Sequence, residues 1–368
     1  MIYHDFHDCK LSALGMGCMR FPTMDENDHE IDIATTAKMV AQAFSGGINY
    51  FDTAWFYHGG NSETVMGEIL KQYPRDSFYL ATKFPGIDPE HGRISVKQVF
   101  ERQLEKCQVE YFDFYLYHNV SDGTIDKFLN PEYGIHEYLM EQKRLGRIRH
   151  LGFSTHGSLA TIQRFLDAHG ADLEFCQIQL NWLDWKLQNA KAKVELLNRN
   201  NIPVWVMEPV RGGRLVNLPE EDMAVLNGLR PGVRTPEWAF RFLQGIDGVT
   251  MVLSGMSNEE QLRENLETYS TKKPLNDHEF QTLMDMADRM IAKNAVPCTG
   301  CNYCVEHCPM NIPIPSVLKL YNDRVNGGTE EPGIPGPGDC VACGKCRVHC
   351  PQGINIPGIM TDYANILK

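Results

Sequence analysis

The chain has no run of eighteen apolar residues, whereas a helix needs about twenty to cross a bilayer. No membrane span is expected. Residues Met1 to Lys10 carry His and Asp where a secretion signal would be apolar. Positive charge is also scarce. Thirty-five Lys and Arg stand against 47 Asp and Glu, giving a net charge of −12. Nucleic acid and anionic membrane both require clustered cations, so neither is an expected partner. Cysteine is sparse over most of the chain, with only Cys9, Cys18, Cys107 and Cys176 before residue 298. Scattered thiols of this kind are commonly small buried hydrophobes. The expected location is the cytoplasm, where thiols stay reduced.

What is present is a repeated alternation. Strand patterns fall at Ser12–Arg20, Asn49–Thr53, Phe78–Phe84, Asp113–Asn119, Ile148–Ser154, Phe175–Asn181, Pro203–Glu208 and Val249–Ser254. Helical patterns follow them at Ile33–Phe44, Ser62–Gln72, Ser95–Cys107, Ile135–Leu145, Ser158–Ala168, Ala190–Asn200, Pro236–Gln244 and Glu259–Thr268. Eight β–α units in series predict an α/β fold, a (β/α)₈ barrel of the TIM type, over residues 1–290. Its catalytic face should lie at the C-terminal ends of the strands, where polar residues collect. Gly15 and Gly17 suggest a dinucleotide fingerprint, but Arg20 fills the third glycine position and no βαβ unit opens there.

The remaining eight cysteines lie in two runs, Cys298-x2-Cys301-x2-Cys304-x3-Cys308-Pro309 and Cys340-x2-Cys343-x2-Cys346-x3-Cys350-Pro351. Ile312, Ile314 and Pro315 match Ile354, Ile356 and Pro357 at the same 42-residue offset, so the repeat extends beyond the ligands. A structural zinc site takes two C-x2-C pairs and has no need of three successive knuckles and a following C-P. The spacing predicts two [4Fe–4S] clusters. In two-cluster ferredoxins the fourth cysteine of each run serves the other cluster. Accordingly, Cys298, Cys301, Cys304 and Cys350 are assigned to one cluster, and Cys340, Cys343, Cys346 and Cys308 to the other. A helix at Pro315–Arg324 and a Gly/Pro-rich loop at 326–339 separate the runs, and Asn276–Lys293 reads as a helix preceding them. Residues 291–368 thus resemble the mainly helical two-cluster ferredoxin modules that relay single electrons.

Four polar residues mark the expected catalytic rim: Asp52 and Tyr57 after the second strand, Lys83 on the third and His118 on the fourth. An ammonium beside a phenol stabilises the phenolate and lowers its pKa. Lys83 is expected to act on Tyr57 in this way, with Asp52 holding Lys83 by an ion pair. His118 would hydrogen-bond the substrate oxygen. The set supplies a general acid for a developing alkoxide, as carbonyl reduction requires. Hydride must come from a cofactor. Trp55, Phe56, His58, Trp182 and Trp185 either shape the substrate pocket or simply pack.

Asp52-Thr53-Ala54, Tyr57, Ser62-Glu63, Ala81-Thr82-Lys83 and Tyr117-His118 together resemble the aldo-keto reductase signature. The likeness continues through Gly152-Phe153-Ser154, Gln177 to Asn181, Met207-Glu208-Pro209, Gly212-Gly213, and Gly255 with Gln261 and Asn265. This resemblance implies a barrel using NADP(H) or NAD(H), with Asp52, Tyr57, Lys83 and His118 as its catalytic tetrad. It implies that Ser154 and Gln177 contact the nicotinamide carboxamide. Met207 would take the place of the aromatic residue common against the nicotinamide ring. Glu208, Pro209, Gly212 and Gly213 would surround the pyrophosphate, and Gly255, Gln261 and Asn265 the adenosine. Thr155, Met207 and Gln261 depart from common family residues and leave NADH versus NADPH open.

Two functions follow. The first is an NAD(P)(H)-dependent oxidoreductase that interconverts a carbonyl and an alcohol through Tyr57 and carries two clusters for electron transfer. The second is an electron-transfer protein or subunit whose barrel only binds nicotinamide or a partner. Nicotinamide delivers an electron pair and a cluster accepts one electron. No flavin motif joins them, so a ferredoxin or flavoprotein partner is one expectation and purely structural clusters another.

Overall fold

The computed structural model describes residues 1–24, 29–86, 95–293, 296–325 and 329–368. They form two compact units, Met1–Pro209 with Glu237–Asn276, and Val210–Pro236 with Asp277–Lys368.

The first unit opens on a hairpin of β1 (Tyr3–Phe6) and β2 (Cys9–Ser12). Eight parallel strands follow: β3 (Leu14–Gly17), β4 (Tyr50–Asp52), β5 (Tyr79–Phe84), β6 (Phe112–Val120), β7 (Ile148–Thr155), β8 (Cys176–Gln179), β9 (Val204–Met207) and β10 (Val249–Ser254). Each pairs with the next, and β10 pairs back onto β3, closing a TIM-type barrel. The first barrel strand is shorter than the pattern at Ser12–Arg20 predicts. The Ser12 hydroxyl donates to the Leu14 carbonyl at 2.8 Å, and the Ser12 N–H donates to Asn49 Oδ1 at 2.9 Å. These bonds end the hairpin at Ser12 and turn the chain into β3. The hairpin closes the N-terminal end of the barrel, where Phe6, Cys9 and Leu11 pack with Tyr50, Phe114, Phe175 and Trp205.

Helices cover the barrel, and their starts follow from capping residues. Ser95 and Gln98 form a capping box before Val96–Cys107. Ser158 caps Leu159–His169, and Asn258 caps Glu259–Thr268. Each such cap contributes about 1 kcal/mol. Helix Val96–Cys107 turns Val99, Phe100, Leu104 and Cys107 inward, the spacing that its sequence shows. No described helix is long and apolar enough to cross a membrane.

In the second unit, helices Asp277–Ala292, Ile314–Val325 and Ile356–Ile366 accompany the cysteine runs. Helix Glu220–Leu229 was not anticipated from sequence. Arg289 holds its Asp222 at 2.5 Å, within the same unit. Residues 326–328 of the expected Gly/Pro-rich loop lie outside the described residues, and the remainder holds only a short helical turn at Pro337–Asp339. The core gathers Val296, Ile312, Ile314, Val317, Leu318, Ile354, Ile356, Met360 and Tyr363 around the cysteines.

The 42-residue repeat is also a repeat of backbone. Ile314 N–H donates to Ile312 and Ile356 N–H to Ile354, both at 2.8 Å. Positive φ recurs at Gly300 and Ala342, Asn302 and Gly344, and Asn311 and Gly353. The equivalent rings of His307 and His349 stack on one another with centroids 3.4 Å apart.

Candidate functional site

Asp52 ends β4, Lys83 lies near the end of the neighbouring β5, and His118 lies toward the end of β6, so strand register alone brings three polar side chains to one rim. Tyr57 arrives by a tight turn: His58, Gly59 and Gly60 all have positive φ. Lys83 is fully buried and donates to Asp52 Oδ1 at 2.6 Å and to the Thr53 carbonyl at 2.7 Å. Its ammonium also lies 4.9 Å from the centre of the Tyr57 ring. The rings of Tyr57 and His118 meet edge to face at 6.1 Å. The four side chains expected to form the tetrad therefore lie together at one rim.

Its electrostatics differ from expectation at one point. Tyr57 is pushed well above the usual phenol range, first by burial and then by the negative charge of Asp52. The Lys83 charge is matched by Asp52 and the Thr53 carbonyl, so it does not offset the desolvation of the phenolate. Asp52 itself is raised by burial, with Lys83 pulling the other way. Burial, and then the positive charge of Lys83, hold His118 well below the usual imidazole range. At neutral pH the rim presents a protonated phenol and a neutral imidazole.

The layer beneath fixes Lys83. Fully buried Glu63 accepts from Thr82 Oγ1 at 2.7 Å, Gln103 Nε2 at 2.6 Å and Lys106 Nζ at 2.7 Å. Gln103 also donates to the Lys83 carbonyl at 2.9 Å. Of the aromatic candidates, Phe56 is half exposed with its ring 6.5 Å from that of His118. Trp182 is buried, Trp185 packs on Phe242, Trp55 lies against Lys106, and His58 accepts from the Phe21 N–H.

The expected cofactor residues divide. Ser154 and Gln177 face each other in register on β7 and β8. Ser154 Oγ accepts from the Asn119 N–H at 2.9 Å. Gln177 Oε1 is buried without a hydrogen-bond partner. A buried amide oxygen left unpaired costs about 1–3 kcal/mol, and an external amide N–H would relieve it. A nicotinamide carboxamide carries that donor, so this position fits the group. Met207 ends β9 half-buried, and Glu208 follows at positive φ. Arg20 Nη2 lies 3.9 Å from Glu208. Asn265 donates to Ser254 Oγ at 3.2 Å, while the Gln261 carboxamide accepts from the Ser257 N–H at 2.8 Å. Pro209 is the last residue of the first unit before the break at Val210. Gly255 lies against the Arg20 side chain.

Gly212 and Gly213 belong to the second unit. A Cβ on Gly212 would sit 2.0 Å from the Thr299 carbonyl oxygen, and its φ is +61°. Gly212→Ala is expected to lower stability by at least about 1–2 kcal/mol. This would appear as a drop in thermal midpoint, with rim residues unchanged.

Sequence reasoning missed two rim residues. Asn119 has positive φ and a buried Oδ1 without a partner. Arg20 exerts a lowering influence on Tyr57. Neither belongs to a motif; only the fold brings them there.

The eight clustered cysteines fall into two groups of four. Cys298, Cys301, Cys304 and Cys350 line one pocket, and Cys308, Cys340, Cys343 and Cys346 line another. The fourth thiol of each run is thus exchanged between the groups. Cys9, Cys18, Cys107 and Cys176 are free and buried.

Residues 13–288 match the aldo/keto reductase family. The chain belongs to that family. Residues 297–354 match the 4Fe-4S dicluster domain. This aldo/keto reductase is 29% identical over 214 residues to "Probable aldo-keto reductase 1" of Glycine max, covering 55% of this chain and 57% of that protein. It is 23% identical over 329 residues to the "NADH-specific methylglyoxal reductase" of Escherichia coli K12, covering 77% and 97%. The solved aldo-keto reductase AKR11C1 of Bacillus halodurans, in its holo form, superposes with a TM-score of 0.62 at 26% identity, over 78% of this chain and 96% of that one. The protein is therefore an oxidoreductase of the aldo/keto reductase family with a C-terminal iron–sulfur domain.

Proposed function

We propose that the barrel reduces a small carbonyl compound to its alcohol with a nicotinamide dinucleotide, Tyr57 giving the proton. The observation that carries this reading is the buried Lys83–Asp52 pair beneath the Tyr57 ring, with His118 beside it. A bound NAD(P)H supplies the hydride that no side chain can donate. Ser154 and Gln177 hold its carboxamide, while Met207, Glu208, Pro209, Gly212, Gly213, Gly255, Gln261 and Asn265 serve the rest of the nucleotide. Tyr57, protonated because of its burial, delivers its phenolic proton to the substrate oxygen. Neutral His118 donates a hydrogen bond to that oxygen. Asp52 keeps the Lys83 ammonium in place beside the Tyr57 ring. The two groups of four cysteines hold one [4Fe–4S] cluster each and pass single electrons to a protein partner.

A panel of small aldehydes and ketones, assayed with NADH and with NADPH, tests the reading. Stoichiometric loss of reduced nucleotide with formation of alcohol is expected for at least one pair. Nucleotide binding with no turnover, together with bleaching of the clusters, would instead favour an electron-transfer protein.

A further inference from the structure

At the N-terminal end of the barrel, opposite the catalytic rim, three potential ligands converge. The turn of the β1–β2 hairpin brings Asp8 beside Cys9, and β7 presents His150 to both. Cys9 Sγ lies 3.4 Å from His150 Nε2 and 3.7 Å from Asp8 Oδ1, and His150 Nε2 lies 3.4 Å from the same Asp8 oxygen. Around a tetrahedral zinc ion, with Zn–S near 2.3 Å and Zn–N and Zn–O near 2.0–2.2 Å, ligand atoms stand roughly 3.3–3.6 Å apart. Two of the three observed edges, at 3.4 Å, fall in this range, and the Cys9–Asp8 edge, at 3.7 Å, lies just beyond it.

The next shell has the matching polarity. His150 Nδ1 lies 2.6 Å from Glu174 Oε2, too close for two ligands of one ion but right for an N–H donated to a carboxylate. Glu174 is in turn held by Lys143 and lies 3.3 Å from His7 Nε2. A histidine that donates Nδ1–H to a carboxylate directs its Nε2 lone pair outward, the usual setting of a zinc-bound imidazole. Here that lone pair meets a carboxylate oxygen and a sulfur, and the Tyr79 hydroxyl also hydrogen-bonds the Cys9 sulfur. Cys9 and His150 are buried, whereas the Asp8 side chain is 85% exposed. The triangle therefore opens to solvent on one side, leaving a fourth position for water.

We propose that Asp8, Cys9 and His150 bind one zinc-type divalent cation, with Glu174 as the outer partner of His150. Binding forms the sulfur–metal bond as the Cys9 thiol releases its proton to solvent. Asp8 and the Cys9 thiolate neutralise the two positive charges, and Glu174 is neutralised by Lys143. The ion would tie the N-terminal hairpin to the barrel wall.

The test uses full-length protein with its iron content measured on every sample, so that zinc captured by empty cluster cysteines is recognised. After equilibration with zinc and removal of the excess, elemental analysis should give about one zinc per chain in the wild type. Cys9→Ala and His150→Ala should retain essentially none at unchanged iron content. Asp8→Asn, at an exposed position that folding tolerates, should weaken zinc binding at least tenfold. Glu174→Gln should weaken it by about 10–100-fold. Iron-replete wild type that binds no more zinc than Cys9→Ala would overturn the proposal, as would zinc retention by Asp8→Asn equal to that of wild type.

Discussion

Tyr57→Phe should reduce carbonyl turnover by about 10²–10⁴-fold, the usual contribution of a positioned general acid, while NAD(P)H binding stays near the wild-type value. The substitution removes one oxygen from a ring whose packing against Lys83 and His118 is otherwise kept. The loss should fall on kcat and not on nucleotide affinity. The pH dependence carries a sign. Because folding raises the Tyr57 pKa, the phenol is in its donor form throughout the neutral range. Reduction should hold through neutrality and decline only in strong alkali. Alcohol oxidation needs the phenolate and should rise with pH across the same interval. Steady-state rates in both directions check this. A Tyr57→Phe enzyme within threefold of wild type would remove Tyr57 from the mechanism.

The second large effect concerns iron. Cys304→Ala and Cys350→Ala, although in different runs, should each lose the same cluster and retain about four irons per chain. The double variant Cys304→Ala/Cys350→Ala should also retain about four. By contrast, Cys350→Ala combined with Cys346→Ala should retain almost none, although these cysteines are near neighbours in one run. The reason is the exchanged grouping of thiols around the two cavities. Iron analysis of purified, anaerobically handled protein reads the pattern directly. If each run served its own cluster, the two double variants would give the reverse result.

The two halves of this architecture were legible for different reasons. Barrel strands announce themselves because they are buried on both faces and read as apolar runs that end in polar residues. Asp52, Lys83 and His118 could be placed on one rim by counting strand ends, since parallel register brings successive ends together. The cysteine repeat was legible because cluster ligation constrains spacing tightly. The β1–β2 hairpin was not, because each strand has four residues and Tyr3–Phe6 buries only one of them well. Helix Glu220–Leu229 has a weakly segregated face, with only Asp222 and Leu226 buried. The direction of the Tyr57 shift also escaped the sequence. Types of neighbour can be listed from a motif, but desolvation depends on how completely the fold closes around the ring. The unpaired oxygens of Gln177 and Asn119 are likewise properties of an enclosure and not of a pattern.

Residues 210–236 leave the barrel's sequence in mid-course and join the C-terminal unit before the chain returns to the barrel at Glu237. Within that unit Arg211 is fully enclosed and donates to the Pro297 carbonyl at 3.2 Å and to Gln352 at 3.4 Å. Neither half is therefore a detachable cassette. A stop codon after the last barrel helix would remove the Pro297 carbonyl and Gln352, two acceptors of Arg211, from the surviving chain. During synthesis, residues 210–236 must wait for more than a hundred further residues before Gln352, the later of these two Arg211 partners, emerges from the ribosome.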